Sequence, residues 1–474
     1  MSFFSQKFLN YHNLLLHLQF LYDNIQFYTI KGEVVMHSSR TDIYAERLSA
    51  LIRSETVSTR IQPDKTKFYT FQELLRQMFP ALCSAVEWED FDGSFLLRWK
   101  GQQETDPILL MNHHDVVEAT GQWKYPPFSG TIAEGKLWGR GTLDTKGGLW
   151  AMLQAAEELA ELGYVPNRDV YFFSACTEET GGTGADTVSQ VLQQRGIRFS
   201  LVLDEGGMIL EAPMAGAKGS FAMVGLGEKG CADLKFSACS SGGHASTPGK
   251  NTPLVRLGKF MAAAENADLF EADISPVICE MLKRISSTMD QPLKFILGHA
   301  KALKPVLLKV IPAVSSTAGA MLKTTLAFTM AKGSEGFNVL PQEAWVIGNM
   351  RYSHHQGGPS SFEEVRKLAE KYDIEMEVLD PGFSSPLSDC NTEAFRLVEQ
   401  AVSKVFPGVI TTPYLMTGAS DCRYMSRVSD NCLRFAPFRI TQAQMDSIHG
   451  LNENVDLSAL VPAVDFYKYI ITEA

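Results

Sequence analysis

Short apolar segments of this chain repeatedly run into acidic or histidine residues, and this pattern constrains the fold more than any other feature. Pro107 to Met111 leads into N-H-H-D, Asp169 to Ser174 into a pair of glutamates, and Phe199 to Leu203 into D-E-G-G. Continuous apolar runs of this length are typical of strands buried on both faces. Gly147 to Leu162, which lies between two of them, has helical spacing. The alternation predicts an α/β fold with polar groups at its strand ends.

A change of pattern near Glu228 indicates a second domain. Beyond it, strand-like segments at 232–237 and 344–351 surround helical stretches at 253–264 and 277–296, which is typical of an α+β unit. The closing part of the chain returns to helix and strand patterns of the first kind. We therefore predict four segments: a leader at 1–35, a first domain formed by 36–227 and 351–474, and an inserted domain at 228–350.

The first 35 residues are rich in Phe, Leu, Tyr and Asn, but polar residues interrupt them too often for a secretory signal. Lys31-Gly32-Glu33 can be encoded by a stretch that resembles a bacterial ribosome-binding site, just before Met36. We hypothesise that Met36 is the biological start, which leaves open whether 1–35 belong to the native protein.

Charge and cysteine content narrow the range of functions. The formal net charge is -11, and no run of lysines or arginines builds the positive stripe that nucleic acid requires. The eight cysteines include no C-x-x-C pair and are scattered through a long chain, which favours a reducing cytoplasm. Lysines and prolines interrupt the apolar stretch at 301–322, so it predicts a lid or packing helix rather than a membrane span.

His113 and Asp115 form an H-x-D motif directly after a predicted strand. On an extended chain the two side chains share one face, so His113 can bind a metal through one ring nitrogen while Asp115 accepts the proton of the other. Taken alone, the pair is better explained as a solvated polar strand end.

Further acids follow the same pattern. Asp144 lies in a glycine-bracketed loop ahead of a predicted helix, where a carboxylate can bridge two cations or, equally, cap the helix. Glu178 and Glu179 repel each other unless cations compensate them; one can ligate a metal while its neighbour deprotonates a metal-bound water. In isolation, a surface loop explains this pair. Asp204 follows the next strand, and His449 precedes a glycine near the final helix, where a lone histidine is usually structural.

Seven motifs in one order give the chain a family resemblance. They are H-x-D, G-R-G-x-x-D-x-K-G, E-E-x-G-G, D-E-G-G, G-G-H-A-S-x-P, N-V-x-P and H-G-x-N-E. The chain resembles the M20 metallopeptidases, which include carboxypeptidases, dipeptidases and aminoacylases, from about Tyr44 to its C terminus. The resemblance implies a zinc-exopeptidase-like catalytic domain, with a mixed sheet between helices, and an inserted α+β lid or dimerisation domain.

The resemblance also implies a dinuclear centre. His113 and Asp204 would hold one zinc, Glu179 and His449 the other, and Asp144 would bridge them with Asp115 behind His113. Two Zn²⁺ per subunit suit these ligands, although Co²⁺ or Mn²⁺ could replace them. Glu178 would be the general base and then the general acid.

Four residues outside this centre are implied by the same resemblance. His244, in the predicted insert, would polarise the scissile carbonyl, often across a dimer into the partner's site. Asn338 and Arg351 would bind a free carboxylate of the substrate, for which a guanidinium suits bidentate recognition. Gly418 would belong to a substrate loop. A turn at His244 and a surface position for Arg351 are the simpler interpretations without the family.

The predicted activity is metal-dependent hydrolysis of an amide or peptide bond next to a free carboxylate, in a dipeptide or an N-acyl amino acid. Asp204, where many relatives carry Glu, and the segment Thr324 to Ala327 resemble the carboxypeptidase S and N-acyl amino acid branch. The alternative is a non-catalytic metal-binding or regulatory protein that keeps the fold. We expect a cytoplasmic homodimer, with no nucleic acid or membrane as partner.

Overall fold

The computed structural model describes residues 39–314 and 316–474, so the predicted leader lies outside the described residues. The strands are β1 (Val86–Phe91), β2 (Ser94–Trp99), β3 (Ile108–Met111), β4 (Thr131–Ala133), β5 (Lys136–Trp138), β6 (Val170–Ser174), β7 (Leu201–Glu211), β8 (Ser220–Glu228), β9 (Gly230–Cys239), β10 (Gly243–His244), β11 (Thr325–Lys332), β12 (Val339–Leu340), β13 (Glu343–Tyr352), β14 (Glu375–Asp380), β15 (Ile410–Met416), β16 (Cys432–Ile440) and β17 (Asn454–Asp456).

Helices connect and cover these strands. They are α1 (Arg40–Ile52), α2 (Thr66–Met78), α3 (Pro80–Ala85), α4 (Lys146–Glu161), α5 (Thr183–Gln194), α6 (Pro253–Asn266), α7 (Pro276–Ser286), α8 (Leu293–Gly298), α9 (Lys304–Val314), α10 (Ser316–Leu322), α11 (Gly357–Glu370), α12 (Glu393–Val405), α13 (Cys422–Met425), α14 (Gln442–Ser447) and α15 (Leu460–Glu473), with short 3₁₀ turns at Glu178–Thr180 and Leu457–Ala459.

The larger sheet is mixed and lies between layers of helices, which confirms the predicted α/β class. Its order is β1-β2-β6-β3-β7-β16-β8-β15. The neighbours β6, β3, β7 and β16 run parallel, whereas β1 and β2 are antiparallel. Apolar side chains of α1, α4, α12 and α15 form the core on one face, and those of α5 and α13 form the core on the other. Burial on both faces explains why these strands are continuous apolar runs.

The carboxyl ends of β3 and β6 meet at one edge of this sheet because the two strands are parallel neighbours. β7 is parallel to β3, but it continues to Glu211 rather than ending at Leu203 as the sequence pattern predicted. Gly207 permits this continuation, since a Cβ there would overlap the main-chain oxygen of Met223 on the neighbouring strand. Asp204 and Glu205 therefore lie within β7, at the point where β7 passes the edge of the sheet at which β3 and β6 end.

The smaller sheet has the order β11-β13-β9-β14 and is covered by α6 and α11. β14 pairs antiparallel with β9, although it lies C-terminal to the predicted boundary at residue 350. We propose on this pairing that the inserted domain extends from about residue 229 to about residue 380.

A block of helices, α7 to α10, packs against β8 and β15 of the larger sheet. The single helix predicted over 277–296 is divided into α7 and α8, with Pro292 directly before α8. Proline has no amide hydrogen to continue a helix from the preceding turn, so it favours a new start at this point. In the described part of the chain, none of the helices is both long and apolar enough to span a bilayer.

Candidate metal centre

Three side chains from separate loops converge at the edge where β3 and β6 end. Ligand atoms of His113, Asp144 and Glu179 all lie within 4.8 Å of one another. His113 follows β3, Glu179 lies in the 3₁₀ turn after β6, and Asp144 precedes α4. The sheet thus assembles in space residues that are up to 66 positions apart in the sequence.

Asp144 lies between two imidazoles. Its Oδ1 is 3.1 Å from Nε2 of His113, and its Oδ2 is 3.0 Å from Nε2 of His449. The same Nε2 of His449 lies 3.1 Å from Oε2 of Glu179. A carboxylate that presents one oxygen to each of two ligand groups has the arrangement required of a bridge between two cations.

Asp115 orients both His113 and the 3₁₀ turn Glu178–Thr180, here called the acidic turn. His113 directs its Nδ1 towards the Asp115 main-chain oxygen at 2.9 Å and the carboxylate at 3.4 Å, which leaves Nε2 facing Asp144. The Asp115 carboxylate also accepts the main-chain N–H groups of Glu178 at 3.2 Å and Glu179 at 3.1 Å, and the hydroxyl of Ser58 at 2.7 Å. One buried carboxylate therefore orients a candidate ligand and the loop that carries two more acids.

The acidic turn is electrostatically suited to cations. Burial raises the pKa of Glu178 well above its usual value, and the charges of Asp421, Glu205 and Glu179 raise it further against the opposing effect of His113. Burial likewise raises the pKa of Glu179, whose buried Oε1 has no hydrogen-bond partner among the described residues. The excess of carboxylates and an orphaned ligand oxygen fit divalent cations, and mixed imidazole and carboxylate donors suit zinc, cobalt or manganese.

The carboxylates of the candidate centre raise the pKa of both histidines. Hydrogen bonds to Asp144 and Glu179 raise the pKa of His449 to about 10. Burial would lower the pKa of His113, but hydrogen bonds to Asp115 and Asp144 prevail and raise it. Asp144 has its pKa lowered because hydrogen bonds from both histidines outweigh the effect of burial. The centre thus presents negative potential to whatever occupies the space between the imidazoles.

Glu453 holds the loop that presents Asp144. Its Oε1 accepts the main-chain N–H groups of Leu143 at 2.8 Å and Asp144 at 3.2 Å, and its Oε2 accepts Gly141 N–H at 3.1 Å. The guanidinium of Arg140 completes this buried arrangement with a 2.7 Å ion pair to Oε2. Glu453, the last residue of H-G-x-N-E, therefore positions the loop that carries the Asp144 carboxylate.

Lys146, in the same motif as Asp144, is also buried. Its ammonium donates to the main-chain oxygen of Ser54 at 2.6 Å, just beyond the end of α1. Burial lowers its pKa to about 7. This lysine fastens the Asp144 loop to the first helix rather than facing the candidate metal centre.

Asp204 and Glu205 approach the centre from β7. Asp204 is buried and accepts the N–H of Cys422 through Oδ2 at 2.8 Å. Burial raises the pKa of Glu205 well above its usual value, and the charges of Asp204, Asp144 and Glu179 act in the same direction. Sequence reasoning selected Asp204 alone; the adjacency of two acids was the available signal for Glu205.

Asp421, at the end of the predicted substrate loop, joins the same electrostatic group. It is buried, and neither carboxylate oxygen has a hydrogen-bond partner among the described residues. Burial and the charge of Asp204 raise its pKa to about 8. Sequence reasoning did not select Asp421, because this residue is far along the chain from the other acids of the group. Gly418, which was selected, is exposed three residues before it.

The remaining predicted residues lie on the insert. His244 is exposed on β10, where its Nδ1 and the Ser246 hydroxyl are 2.7 Å apart. Asn338 is exposed immediately before β12, and Arg351 lies on β13 with its Nε donating to the Asn349 side chain at 3.1 Å. Within the described residues, no hydrogen bond or ion pair joins these three to the candidate metal centre. The structure brings His113, Asp144, Glu179 and His449 together, whereas no hydrogen bond or ion pair among the described residues joins Asp204 or these three substrate residues to them.

Sequence comparisons extend over most of the chain. The model of peptidase family M20/M25/M40 matches residues 109–473. The human N-fatty-acyl-amino acid synthase/hydrolase PM20D1 is 30% identical over 438 residues, which cover 90% of this chain and 87% of that protein. The probable carboxypeptidase S-like 2 of Dictyostelium discoideum is 28% identical over 445 residues, covering 90% and 84%.

A solved structure shares the fold. The M20 family metallo-carboxypeptidase Sso-CP2 from Sulfolobus solfataricus superposes with a TM-score of 0.67 at 16% identity, covering 91% of this chain and 98% of that one. At this identity the likeness concerns the fold alone. Sequence and fold similarity therefore agree over about nine-tenths of the chain.

Proposed function

Because the chain belongs to peptidase family M20/M25/M40, we propose that it hydrolyses an amide bond next to a free carboxylate, in an N-acyl amino acid or a dipeptide. The observation that carries the proposal is the position of Asp144 between the Nε2 atoms of His113 and His449, beside the adjacent acids Glu178 and Glu179. This is an arrangement for two cations with a separate carboxylate left for proton transfer.

The two cations, Glu178 and Asp115 would have different roles in the reaction. Two bound divalent cations would supply Lewis acidity and lower the pKa of the attacking water. Glu178 takes the proton of that water and passes it to the leaving nitrogen. Burial raises the pKa of Glu178 above its usual value, which is the direction that favours a base that later acts as an acid. The Asp115 carboxylate positions Glu178 by accepting the main-chain N–H of Glu178.

We propose an N-acyl amino acid as the first substrate class to test. The human relative is an N-fatty-acyl-amino acid synthase/hydrolase and the Dictyostelium relative a probable carboxypeptidase, and in both kinds of reaction the bond lies next to a carboxylate. Arg351 is the proposed carboxylate ligand, and Asn338 is the second residue proposed to bind the substrate. Hydrolysis of N-acyl amino acids and dipeptides, measured with zinc, cobalt and manganese, tests the proposal; substrates with an amidated C terminus are the matched control. Equal turnover of free and amidated substrates would refute the carboxylate requirement.

The fifth ligand of the centre gives a separate prediction. We expect Asp204→Asn to weaken binding of one metal by more than the roughly 10- to 100-fold that is typical of residues behind the ligands, and Glu205→Gln to weaken it less. Asp204 is buried and is held by the Cys422 N–H through Oδ2, whereas Glu205 is the neighbouring acid on β7. Metal titration followed by calorimetry measures both variants. A greater loss in Glu205→Gln would move the assignment from Asp204 to Glu205.

We propose that the chain forms a homodimer in which His244 reaches the partner's centre. His244 pairs with Val339 across β10 and β12, and Val339 is exposed together with Phe337 nearby. Leu254 is also exposed and lies against Gly333 in the same part of the insert. Apolar side chains gathered around a polar functional residue are typical of a protein interface.

Subunit complementation tests this arrangement. Mixed dimers of His244→Ala and Glu178→Ala chains should regain about a quarter to a half of the activity, because one of the two sites then has both residues intact. Each variant alone should be nearly inactive. A mixed dimer, verified by differential tagging, that stays inactive would show that each site is built within one chain. Phe337→Ser, measured by light scattering, should weaken the dimer.

The rival proposal is a metal-binding protein without turnover. Glu178, Asp115 and His244 are all present, and a protein freed from catalysis would have no chemical need for Glu178 beside the ligand Glu179. Metal binding with no hydrolysis of any acyl amino acid or dipeptide would favour the rival. The predicted cytoplasmic location stays a prediction.

A further inference from the structure

The helical block of the insert contains a long span without acidic side chains. Acidic residues make up 54 of the 474 positions, so a span of 44 residues would contain about five; yet Gln291 to Ser334 contains none, and six lysines instead. This contrasts with the net charge of -11 for the whole chain. The span is therefore a local positive region on an otherwise negative protein.

Helices α8 and α9 of this span are anchored on one side only. Leu297, Ala300 and Leu307 are buried in the cluster that packs on β8 and β15. Val306 and Val310, one helical turn apart on α9, are 56% and 47% exposed. The two valines share a face because residues at i and i+4 are neighbours on a helix.

Helix α8 also carries two partly exposed apolar side chains, Leu293 at 43% and Phe295 at 55% exposure, on different sides of the helix. Three lysines of the same two helices and their connection are exposed and pair with no carboxylate in the described part of the chain: Lys294, Lys301 and Lys309. We call these seven residues the basic apolar surface. Lys304, at its margin, forms an ion pair with Asp273.

We propose that the basic apolar surface docks on the surface of an anionic lipid bilayer, which departs from the sequence-based expectation that a membrane is not a partner. Short amphipathic helices with lysines beside exposed apolar side chains lie in the plane of the bilayer interface, with the apolar groups at the depth of the headgroups and the lysines near lipid phosphates. Both components are present here, and neither uses a residue of the candidate metal centre.

Charge decides between a lipid surface and a second copy of the chain. A two-fold dimer through this surface would place the unpaired lysines of one copy against those of the other, with no acid in the span to compensate them. An anionic bilayer supplies the missing negative charge. Docking should therefore weaken at high salt, since exposed charges are screened.

Vesicle flotation with the full chain tests the proposal without any turnover. We expect binding to vesicles of phosphatidylcholine with about 30% phosphatidylglycerol, and little to phosphatidylcholine alone. Lys301→Glu/Lys309→Glu should reduce the partition coefficient at least about 25-fold, at about fivefold for each lysine lost. Val306→Ser/Val310→Ser should also reduce it. Lys100→Glu/Lys404→Glu, which changes two exposed lysines elsewhere, is the matched control and should bind like the parent.

Each outcome decides the question. Circular dichroism and metal content identify surface variants that fail to fold. If a variant does not fold, the salt dependence of vesicle binding by the parent protein tests the proposal instead. Binding that depends on anionic lipid, falls with salt and is lost in the surface variants supports the proposal. Equal binding to both vesicle types, or equal loss in the Lys100→Glu/Lys404→Glu control, overturns it. A change of oligomeric state in the surface variants would instead assign the surface to self-association and also overturn it.

Discussion

Replacing Glu178 by glutamine should lower kcat by about two to four orders of magnitude while the metal content stays at two ions per chain. Glutamine has the same shape but cannot accept the proton of the attacking water. Its main-chain N–H still donates to Asp115, so the turn that carries Glu179 should keep its geometry. Rates with an N-acyl amino acid, together with elemental analysis of the protein, measure the two effects separately.

The matched control is Glu118→Gln, which removes an exposed glutamate from the loop after the H-x-D motif. This variant should retain the parent rate. Full activity in Glu178→Gln would contradict the assigned role. We do not expect metal loss in that variant, because Glu179 is the acid that lies 3.1 Å from His449 Nε2. Loss of metal would show that Glu178 is a ligand rather than the base.

Asp144→Asn should have the largest effect on metal binding. Asp144 is the residue whose two oxygens face both imidazoles, at 3.1 Å and 3.0 Å, and an amide offers one oxygen and one NH₂ group in their place. We expect metal affinity to fall by more than the roughly 10- to 100-fold that is typical of residues behind the ligands. Activity should fall with it and should not return in excess zinc.

Metal titration measured by calorimetry, with Asp106→Asn as an exposed control, tests this expectation. Two ions bound with the parent affinity in Asp144→Asn would remove the bridge from the proposed centre. A stable variant that binds one ion would show that one imidazole keeps a complete ligand set without the bridge.

Local patterns were sufficient for much of the fold. β3 and β6 begin one residue after the predicted segments do and end at the predicted residues Met111 and Ser174. These strands are buried on both faces, so each is a continuous apolar run that the sequence displays directly. The H-x-D motif and the paired glutamates follow such runs, which is why their common edge of the sheet could be predicted.

Where long-range pairing decides structure, the predictions were less complete. β7 was expected to end at Leu203 but continues to Glu211, because Gly207 admits the backbone of a neighbouring strand at Met223. β14 joins the smaller sheet by pairing with β9, more than 130 residues earlier in the chain. Neither the close approach at Gly207 nor the partner of β14 is visible in local composition.

The sequence by itself determined which residues are candidates for the centre and their order: a histidine, an acid in a glycine-bracketed loop, two adjacent glutamates, a further acid and a final histidine. Hydrophobic burial of the preceding strands makes several of these positions recognisable. Only the tertiary structure decided how they face one another. The Asp144 carboxylate lies between His113 and His449, which are 336 positions apart, and Glu453 holds its loop. The physical reason is that periodicity reports the burial of each segment, whereas distances between side chains depend on which strands pair and which buried carboxylates must find hydrogen bonds.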